Sequence, residues 1–229
     1  MKINKILLLG IFSLFSTFDL KAAAPLIYIY QTNNFSNFTS GTRNLTFSLV
    51  DTAYGSTVAL SDIREITITG IINKSAGGWV VNGNDPEVAN DVTVNQTTKG
   101  WFTSTKSFGF AGTSISPNLN SVYSQVFSLQ PNGSLSGDFG TDTTGNLGGS
   151  LDSSLFSQYA GLGTFNIVLN GFQSFAVDGN GIDTQFYNPS PKLSGNVVVT
   201  YGLVPEPSSG ALLLLGIGGL VALRRARRF

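Results

Sequence analysis

Residues 65–69 read EITIT and residues 44–49 read NLTFSL, and in both segments polar and apolar side chains alternate. Successive side chains of a β-strand point to opposite faces, so this period of two predicts strands with one buried and one solvent-facing side. No long segment between the termini shows the helical period of 3.6. Short runs rich in β-branched and aromatic residues predict the remaining strands: Leu26–Tyr30, Trp79–Asn82, Asp91–Asn95, Val122–Leu129, Thr164–Leu169, Phe172–Val177 and Asn196–Tyr201.

Clusters of Gly, Asn and Pro separate these segments, at residues 75–78, 83–86, 131–133 and 178–181. Many short strands with turns between them predict an all-β domain, an antiparallel β-sandwich or jelly-roll-like fold. The Gly-rich stretch from Gly133 to Ser150 has few apolar residues, and we expect a long loop there.

Composition excludes several functional classes. The 229 residues carry no net charge, but residues 25–204 hold six Lys/Arg and eleven Asp/Glu, a net charge of −5. An acidic body argues against binding to nucleic acid, whose phosphates require a basic face. The chain contains no Cys and no His, which excludes disulfides, zinc sites of the Cys/His kind, Cys nucleophiles and Ser-His-Asp triads.

The first 24 residues have the three parts of a secretory signal peptide. Lys2 and Lys5 form the positive region, and residues 6–18 form an apolar run too short to span a membrane comfortably. Small residues follow, so we expect cleavage after Ala24, with cleavage after Ala22 as the alternative. The pattern predicts an exported protein.

The last 26 residues have an equally distinct order. Pro205, Glu206 and Pro207 precede the uncharged run 208–223, which as a helix would span about 24 Å, slightly less than a bilayer core. The two prolines hold the chain extended just before this run. An arginine cluster ends the chain and predicts a cytoplasmic anchor: Arg224, Arg225, Arg227 and Arg228.

This order of Pro-Glu-Pro, apolar helix and arginine cluster resembles the PEP-CTERM sorting signal of Gram-negative bacteria. The resemblance implies transient anchoring in the inner membrane and recognition by exosortase, which processes its substrates near the PEP motif. It further implies a cell-surface, outer-envelope or matrix location and an association with exopolysaccharide and biofilm. The alternative is a plain single-pass membrane anchor.

The predicted organisation is therefore a signal peptide (1–24), a β-sandwich domain (25–203) and a sorting segment (204–229). The end of the body also resembles the choice-of-anchor β domains attached to such anchors. That likeness rests on the strand texture of residues 155–165 and 197–201.

Two acidic pairs are the densest candidates for the two carboxylates of a glycosidase: Asp62 with Glu65, and Asp85 with Glu87. No catalytic motif surrounds either pair. Carboxylates on turns and surfaces are also the normal condition of a secreted domain, so we expect no enzymatic activity.

One segment alternates oxygen ligands as calcium loops do, with Asp178, Asn180 and Asp183. It departs from the EF-hand pattern because Asp183 stands where that pattern requires glycine. The same segment is a good turn between strands, and we favour the turn. Asp85, Glu87 and Asp91 form the alternative calcium site, so calcium is the only cofactor that the sequence leaves open.

Trp79 and Trp101 each follow a glycine. If exposed, they would stack on sugar rings, as in a carbohydrate-binding module. Aromatic rings of a sandwich are more often part of its core, which we expect here.

The sequence thus predicts an exported structural or adhesive protein of the cell surface or extracellular matrix. Its expected partners are exosortase, the inner membrane in transit and extracellular polysaccharide. A carbohydrate-binding module and a secreted glycoside hydrolase are the alternatives, and a matrix filler without a specific ligand is a further one.

Overall fold

The structure, a computed structural model, describes residues 25–83, 90–106, 118–187 and 189–204. Its strands lie in one compact unit, Ile27–Leu203; of the second unit, formed by the two ends of the chain, only Pro25, Leu26 and Val204 are described. The described strands are β1 (Ile27–Phe38), β2 (Gly41–Ser48), β3 (Ile63–Lys74), β4 (Gly78–Gly83), β5 (Asn90–Ser104), β6 (Leu119–Leu129), β7 (Ser134–Asp138), β8 (Asp142–Thr143), β9 (Leu147–Ser150), β10 (Thr164–Asp178), β11 (Ile182–Tyr187) and β12 (Leu193–Leu203).

Helical structure is short. A five-residue helix, α1 (Val50–Tyr54), follows β2, and 3₁₀ turns occupy Leu60–Asp62 and Ser153–Gln158. Gly55 ends α1 in the left-handed conformation (φ 84°), which a glycine adopts without steric cost.

The strands form three antiparallel sheets. The first has the order β1-β12-β3-β8, with β9 also paired to β3; the second has the order β2-β10-β5-β6; the third has the order β11-β4-β7. All the pairings are antiparallel, and the prediction of an antiparallel all-β sandwich is confirmed.

Strand β3 shows how the alternating sequence builds the first sheet. Ile66, Ile68 and Ile72 are at most 1% exposed, whereas Thr67 and Thr69 lie between them on the opposite face. The buried isoleucines pack with inward residues of β12, such as Val197 and Val199. Burial of branched side chains on one face stabilises the sheet and sets its register, because a slip of one residue would expose all of them.

The two longest strands, β5 and β10, connect two hydrophobic clusters. The first half of β10, including Ile167 and Leu169, packs in the larger cluster, against the β1-β12-β3 sheet. Its second half packs Phe175 against the smaller cluster, which contains Trp79 and Val81 from the β11-β4-β7 sheet. The second sheet is therefore a shared layer beneath both of the others.

The predicted loop from Gly133 to Ser150 is wrong, because this stretch contains β7, β8 and β9. β7 adds to the edge of β4, while β8 and β9 add to β3. Glycine permits this close pairing: a Cβ at Gly137 would lie 2.9 Å from Trp79 Cζ2. Short strands of this kind gain their order from the neighbouring strand and leave little apolar signal in the sequence.

The segments Thr164–Leu169 and Phe172–Val177, predicted separately, belong to the single strand β10. Gly171 lies between them without ending the strand. Its missing side chain leaves space for Phe38, since a Cβ at this position would lie 2.5 Å from Phe38 Cε1. The glycine thus marks a close approach between two layers rather than a turn.

One lysine is buried in the sandwich. Lys74, only 2% exposed, donates hydrogen bonds from Nζ to the carbonyl oxygens of Phe139 (3.1 Å) and Gly140 (2.8 Å). Burial lowers the pKa of Lys74, and the nearby Asp142 and Asp138 oppose that shift. The two carbonyls replace the water that the ammonium group loses.

Candidate functional site

The outward faces of the two large sheets are rich in neutral polar side chains. On the first sheet these are Thr32, Asn34, Thr67, Thr69, Asn73, Ser194, Asn196 and Thr200; on the second they are Thr42, Asn44, Thr46, Thr93, Asn95, Thr97, Asn120, Ser124, Ser128, Asn166, Asn170 and Ser174. Hydroxyl and amide groups both donate and accept hydrogen bonds, so both faces suit a ligand rich in hydroxyl groups.

A pair of tyrosines stands on the outward face of β1, which we call the tyrosine face together with the adjoining outward residues of β12 and β3. The rings of Tyr28 and Tyr30 stack with centroids 6.3 Å apart and planes 28° apart. Tyr28 is 44% exposed and Tyr30 is 67% exposed. Tyr28 leans over Gly202 of β12, where a Cβ would lie 3.2 Å from its Cε1 atom.

A carboxylate surrounded by hydroxyl groups lies on the same face. Thr67 Oγ1 donates to Glu65 Oε1 at 3.0 Å, and Ser150 Oγ donates to the same oxygen at 3.2 Å. Gly202 pairs with Tyr28 on one side and with Glu65 on the other. Two strand spacings, about 10 Å, separate the backbones of β1 and β3 here. A Cβ at Gly202 would lie 3.2 Å from both Tyr28 Cε1 and Glu65 Cβ, so the ring and the acidic side chain approach each other over a position with no side chain.

The outward face of β5 and β10, here the tryptophan face, carries the second aromatic group. Trp101 is half-buried and pairs with Asn170, whose Nδ2 donates to Thr103 Oγ1 at 3.0 Å. Phe172 is 46% exposed, and Lys99 Nζ lies 5.9 Å from the centroid of its ring. An ammonium group at that distance is attracted to the ring face.

Trp79 belongs to the core instead. It is 2% exposed, and its ring lies 4.9 Å from that of Phe127. Its Nε1 atom is buried without a hydrogen-bond partner in the described structure. The alternative that Trp79 stacks on sugar rings is therefore wrong, because its ring is buried between its own sheet and the second sheet. Trp101 is partly accessible.

The structure places the first candidate calcium segment as the connection between β10 and β11. Asp178 Oδ2 accepts a hydrogen bond from Asn95 Nδ2 at 3.0 Å, and Asn180 is exposed. The connection is no hairpin, since β11 pairs with β4 rather than with β10. Asp183 lies within β11.

Among the residues that the structure describes, no group of three or more acidic side chains is arranged to hold a metal ion. Of the alternative calcium site only Asp91 is described, and it is exposed. Asp85 and Glu87 lie outside the described residues, as does the acidic pair that they form. In the other pair, Asp62 is half-buried at the end of a 3₁₀ turn and Glu65 bonds the hydroxyls described above.

Sequence reasoning predicted a strand at Leu26–Tyr30 but missed its tyrosines as a candidate site. The signal was present in residues 27–30, which read IYIY. Isoleucine and tyrosine alternate there, so the outward positions carry the tyrosine rings, whereas the outward positions of the other strands mostly carry Thr or Asn. An outward row of tyrosines is an exposed aromatic patch of the kind that marks binding surfaces.

The candidate residues of the two termini lie outside the described residues. They are the cleavage positions Ala22 and Ala24, the motif Pro205, Glu206 and Pro207, and the cluster Arg224, Arg225, Arg227 and Arg228. In the part of the chain that is described, no helix has the length and apolar character to cross a membrane. The predicted spanning run 208–223 falls outside that part.

Comparison with solved structures gives distant likenesses to viral chains. A chain of the infectious bursal disease virus Gx strain is 10% identical at a TM-score of 0.25, with 90% of this chain and 49% of the viral chain covered. For the Gt strain the identity is 10%, the TM-score 0.24, and the coverage 81% and 43%. The chain thus spans about half the length of these viral chains, and TM-scores this low carry no argument.

Comparison with curated proteins gives no match. The C-terminal segment, in contrast, matches a family model described as the PEP-CTERM protein-sorting motif, over residues 203–228. The match covers the Pro-Glu-Pro tripeptide, the apolar run and the four arginines. The motif implies an exported protein that is sorted through the membrane, with exosortase as its processing partner. The C-terminal segment of this chain therefore carries a PEP-CTERM protein-sorting motif.

Proposed function

We propose that this exported protein is a structural or adhesive component of the cell surface or extracellular matrix. The observation that carries the proposal is the chemistry of the two outward faces, which present neutral hydroxyl and amide groups together with exposed aromatic rings. Such faces favour contact with hydrated, uncharged polymers rather than with strongly charged ones. The sorting motif supplies the route to that location.

Processing at the Pro205-Glu206-Pro207 segment is the first part of the proposal. Intact-mass analysis after cell fractionation tests it, on the native chain and on a variant with these three residues replaced by alanine. We expect a mature species without residues 1–24 and without the arginine tail, and we expect loss of tail processing in the variant. A full-length tail that stays in the inner membrane would instead make this a single-pass membrane protein.

A carbohydrate-binding role is the second candidate, and the stacked Tyr28–Tyr30 pair favours it. Sugar rings have apolar faces that pack on aromatic rings, while their hydroxyl groups need polar partners nearby. The tyrosine face offers both: Glu65 and Thr67 lie on β3, two strand spacings or about 10 Å from β1, and Ser150 lies on β9, one spacing further. Trp101 offers a second and less exposed ring on the opposite side of the sandwich.

Cosedimentation with extracellular polysaccharide from the producing cells tests this role. We expect Tyr30→Ala to weaken binding about tenfold, the equivalent of about 1.4 kcal/mol. Tyr54→Ala is the matched control, because Tyr54 is an exposed tyrosine (40%) on α1 and belongs to neither face. Equal binding by the two variants and the unchanged protein would remove the tyrosine face from the proposal. If Trp101→Ala alone weakened binding, the binding site would lie on the tryptophan face instead.

The proposal assigns no catalytic step to the β unit. The carboxylate of Glu65 already accepts hydrogen bonds from two hydroxyl groups, and its predicted partner Asp62 precedes β3 on a 3₁₀ turn. Glycosidases hold two carboxyl groups about 5–10 Å apart across a substrate cleft. Incubation with the same polysaccharide, followed by analysis of reducing ends, checks this point, and new ends would contradict it.

A further inference from the structure

Strand β6 is an edge of the second sheet, and β5 is its only hydrogen-bonded neighbour among the described strands. Its 11 residues pair with β5 without a register shift. The strand contains no charged residue, no proline and no glycine, and it exposes Val122 (63%) and Val126 (64%). A long, regular, uncharged edge with exposed apolar side chains is a template on which another strand pairs.

The opposite edge of the same sheet is protected. The side chain of Gln31 on β1 bonds both the N–H (2.8 Å) and the carbonyl (2.9 Å) of Ser48 on β2. Asn33 donates to the carbonyl of Thr46 at 2.7 Å. These contacts occupy backbone groups of β2 that would otherwise be open to a further strand.

The other described edges carry further protective features. β1 has a register shift between Phe35 and Phe38, and Arg43 donates to the carbonyl of Ser36 beside it. Strands β7, β8, β9 and β11 have two to six residues each. Natural proteins use such bulges, charges and short strands to prevent edge-to-edge pairing, and β6 has none of them.

The sequence of β6 is self-complementary about its central residue. Residues 119–129 read LNSVYSQVFSL. When a second copy runs antiparallel and Ser124 lies opposite Ser124, Val122 lies opposite Val126 and Leu119 lies opposite Leu129. The outward positions then read polar, Val, Ser, Val, polar in both directions, as the two-fold symmetry of an isologous interface requires.

We propose that two copies of this chain pair along β6, antiparallel and with Ser124 at the two-fold axis. The two four-stranded sheets then form one continuous eight-stranded sheet. Two Val122–Val126 cross-strand pairs lie on its outward face, and contacts of this type are what stabilises neighbouring strands. Because β6 carries no charge, its pairing places no like charges opposite each other, and the tyrosine faces remain free on both copies.

Disulfide cross-linking of the mature protein tests the register. The chain has no cysteine, so Ser124→Cys introduces a unique thiol, which the proposal places opposite its counterpart at a Cα separation of about 5 Å, within disulfide reach. The matched control is Ser174→Cys, an exposed serine on β10 that is at least five strand spacings, about 24 Å, from its counterpart in the paired sheet. We expect mild oxidation to link the first variant into dimers at least tenfold faster than the second.

Light scattering provides a second measurement. The proposal predicts a two-chain particle for the unchanged mature protein and a one-chain particle for the Val122→Lys, Val126→Lys variant, in which lysines face each other across the axis. Ser174→Lys with Ala176→Lys, on the exposed side of β10, is the charge-matched control and should remain dimeric. Circular dichroism establishes that each variant is folded.

Two results would overturn the proposal. One is a monomeric unchanged protein. The other is cross-linking of Ser124→Cys no faster than that of Ser174→Cys. Because no polysaccharide is present in either measurement, failure here is separate from failure of the proposed binding role.

Discussion

At the scale of single residues, the two tryptophans have opposite environments although both follow a glycine. Trp79 is 2% exposed in the smaller hydrophobic cluster, whereas Trp101 is half-buried on an outward face. In the segment around Trp101, Phe102 takes the inward position, so the tryptophan is directed outward.

Substitution of each tryptophan by alanine should change the free energy of unfolding by different amounts. We expect Trp79→Ala to lower the free energy of unfolding by about 3–5 kcal/mol, because it removes a large ring from a packed cluster. Trp101→Ala should lower it by about 1 kcal/mol or less. Urea unfolding followed by circular dichroism measures both values, and a similar cost for the two variants would contradict the burial described above.

Two buried tyrosines make stability depend on alkaline pH. Burial raises the pKa of Tyr159 to about 12, and burial also raises the pKa of Tyr201, whose hydroxyl donates to the carbonyl of Ser48 at 2.8 Å. In the unfolded chain both ionise near pH 10. Between pH 10 and 12 the unfolded state therefore binds fewer protons than the folded state, so the free energy of unfolding decreases as pH rises.

We expect these two tyrosines to leave the melting temperature unchanged below pH 10 and to lower it above pH 10. Tyr201→Phe should make the decrease shallower, while Tyr30→Phe, at an exposed position, should leave it unchanged. The lowered pKa of Lys74 acts in the opposite direction, but it is common to all three proteins. Parallel curves for the Tyr201 variant and the unchanged protein would count against this explanation.

At the scale of elements, the Gly-rich stretch forms strands because its neighbours supply the order. β7 pairs with five consecutive residues of β4, and its Gly137 lies directly over the ring of Trp79. β9 pairs with four residues of β3 and contains Gly149, where an added Cβ would meet no atom within 4 Å. Both glycines thus lie in short edge strands, but a side chain at Gly137 would clash with Trp79, whereas one at Gly149 would not meet any atom.

Replacement of these glycines by alanine tests that difference. Gly137→Ala should cost about 1–3 kcal/mol, because the new methyl group would lie 2.9 Å from Trp79 Cζ2 and would displace the ring. Gly149→Ala should be neutral or slightly stabilising, since it restricts the unfolded chain without a clash. Thermal unfolding of both variants gives the comparison, and equal losses would show that Gly137 has no special contact.

At the scale of the whole β unit, β5 and β10 contribute to both hydrophobic clusters. A defect in one cluster is therefore transmitted to the other, because loss of either strand would expose both. The larger cluster contains Phe47, which is 1% exposed and stacks on Phe165 with centroids 5.7 Å apart. Trp79 is a natural fluorescent probe in the smaller cluster.

We therefore expect Phe47→Ala to lower the urea midpoint reported by Trp79 fluorescence as much as the midpoint reported by circular dichroism. Trp101→Phe serves as the background, so that Trp79 is the only tryptophan. If the fluorescence midpoint stayed at its original value while the circular dichroism became biphasic, the clusters would unfold as separate units.

Local pattern alone was sufficient for the fold class. The alternation in residues 44–49 and 65–69 identified strands with a buried face, because the side-chain period of a strand depends only on its own backbone. The order of residues at the C-terminus likewise identified the sorting motif, since such signals are read as linear segments. These features need no contact between distant parts of the chain.

Tertiary contacts decided the rest. Whether Trp79 or Trp101 is covered, whether Gly133–Ser150 pairs, and whether Tyr28 and Tyr30 stack in the open all depend on which strands become neighbours. Residues 79–81 read WVV and carry apolar side chains on both faces, so the period of two cannot say which face is inward. That choice is made by long-range pairing and burial, which a short segment of sequence does not contain.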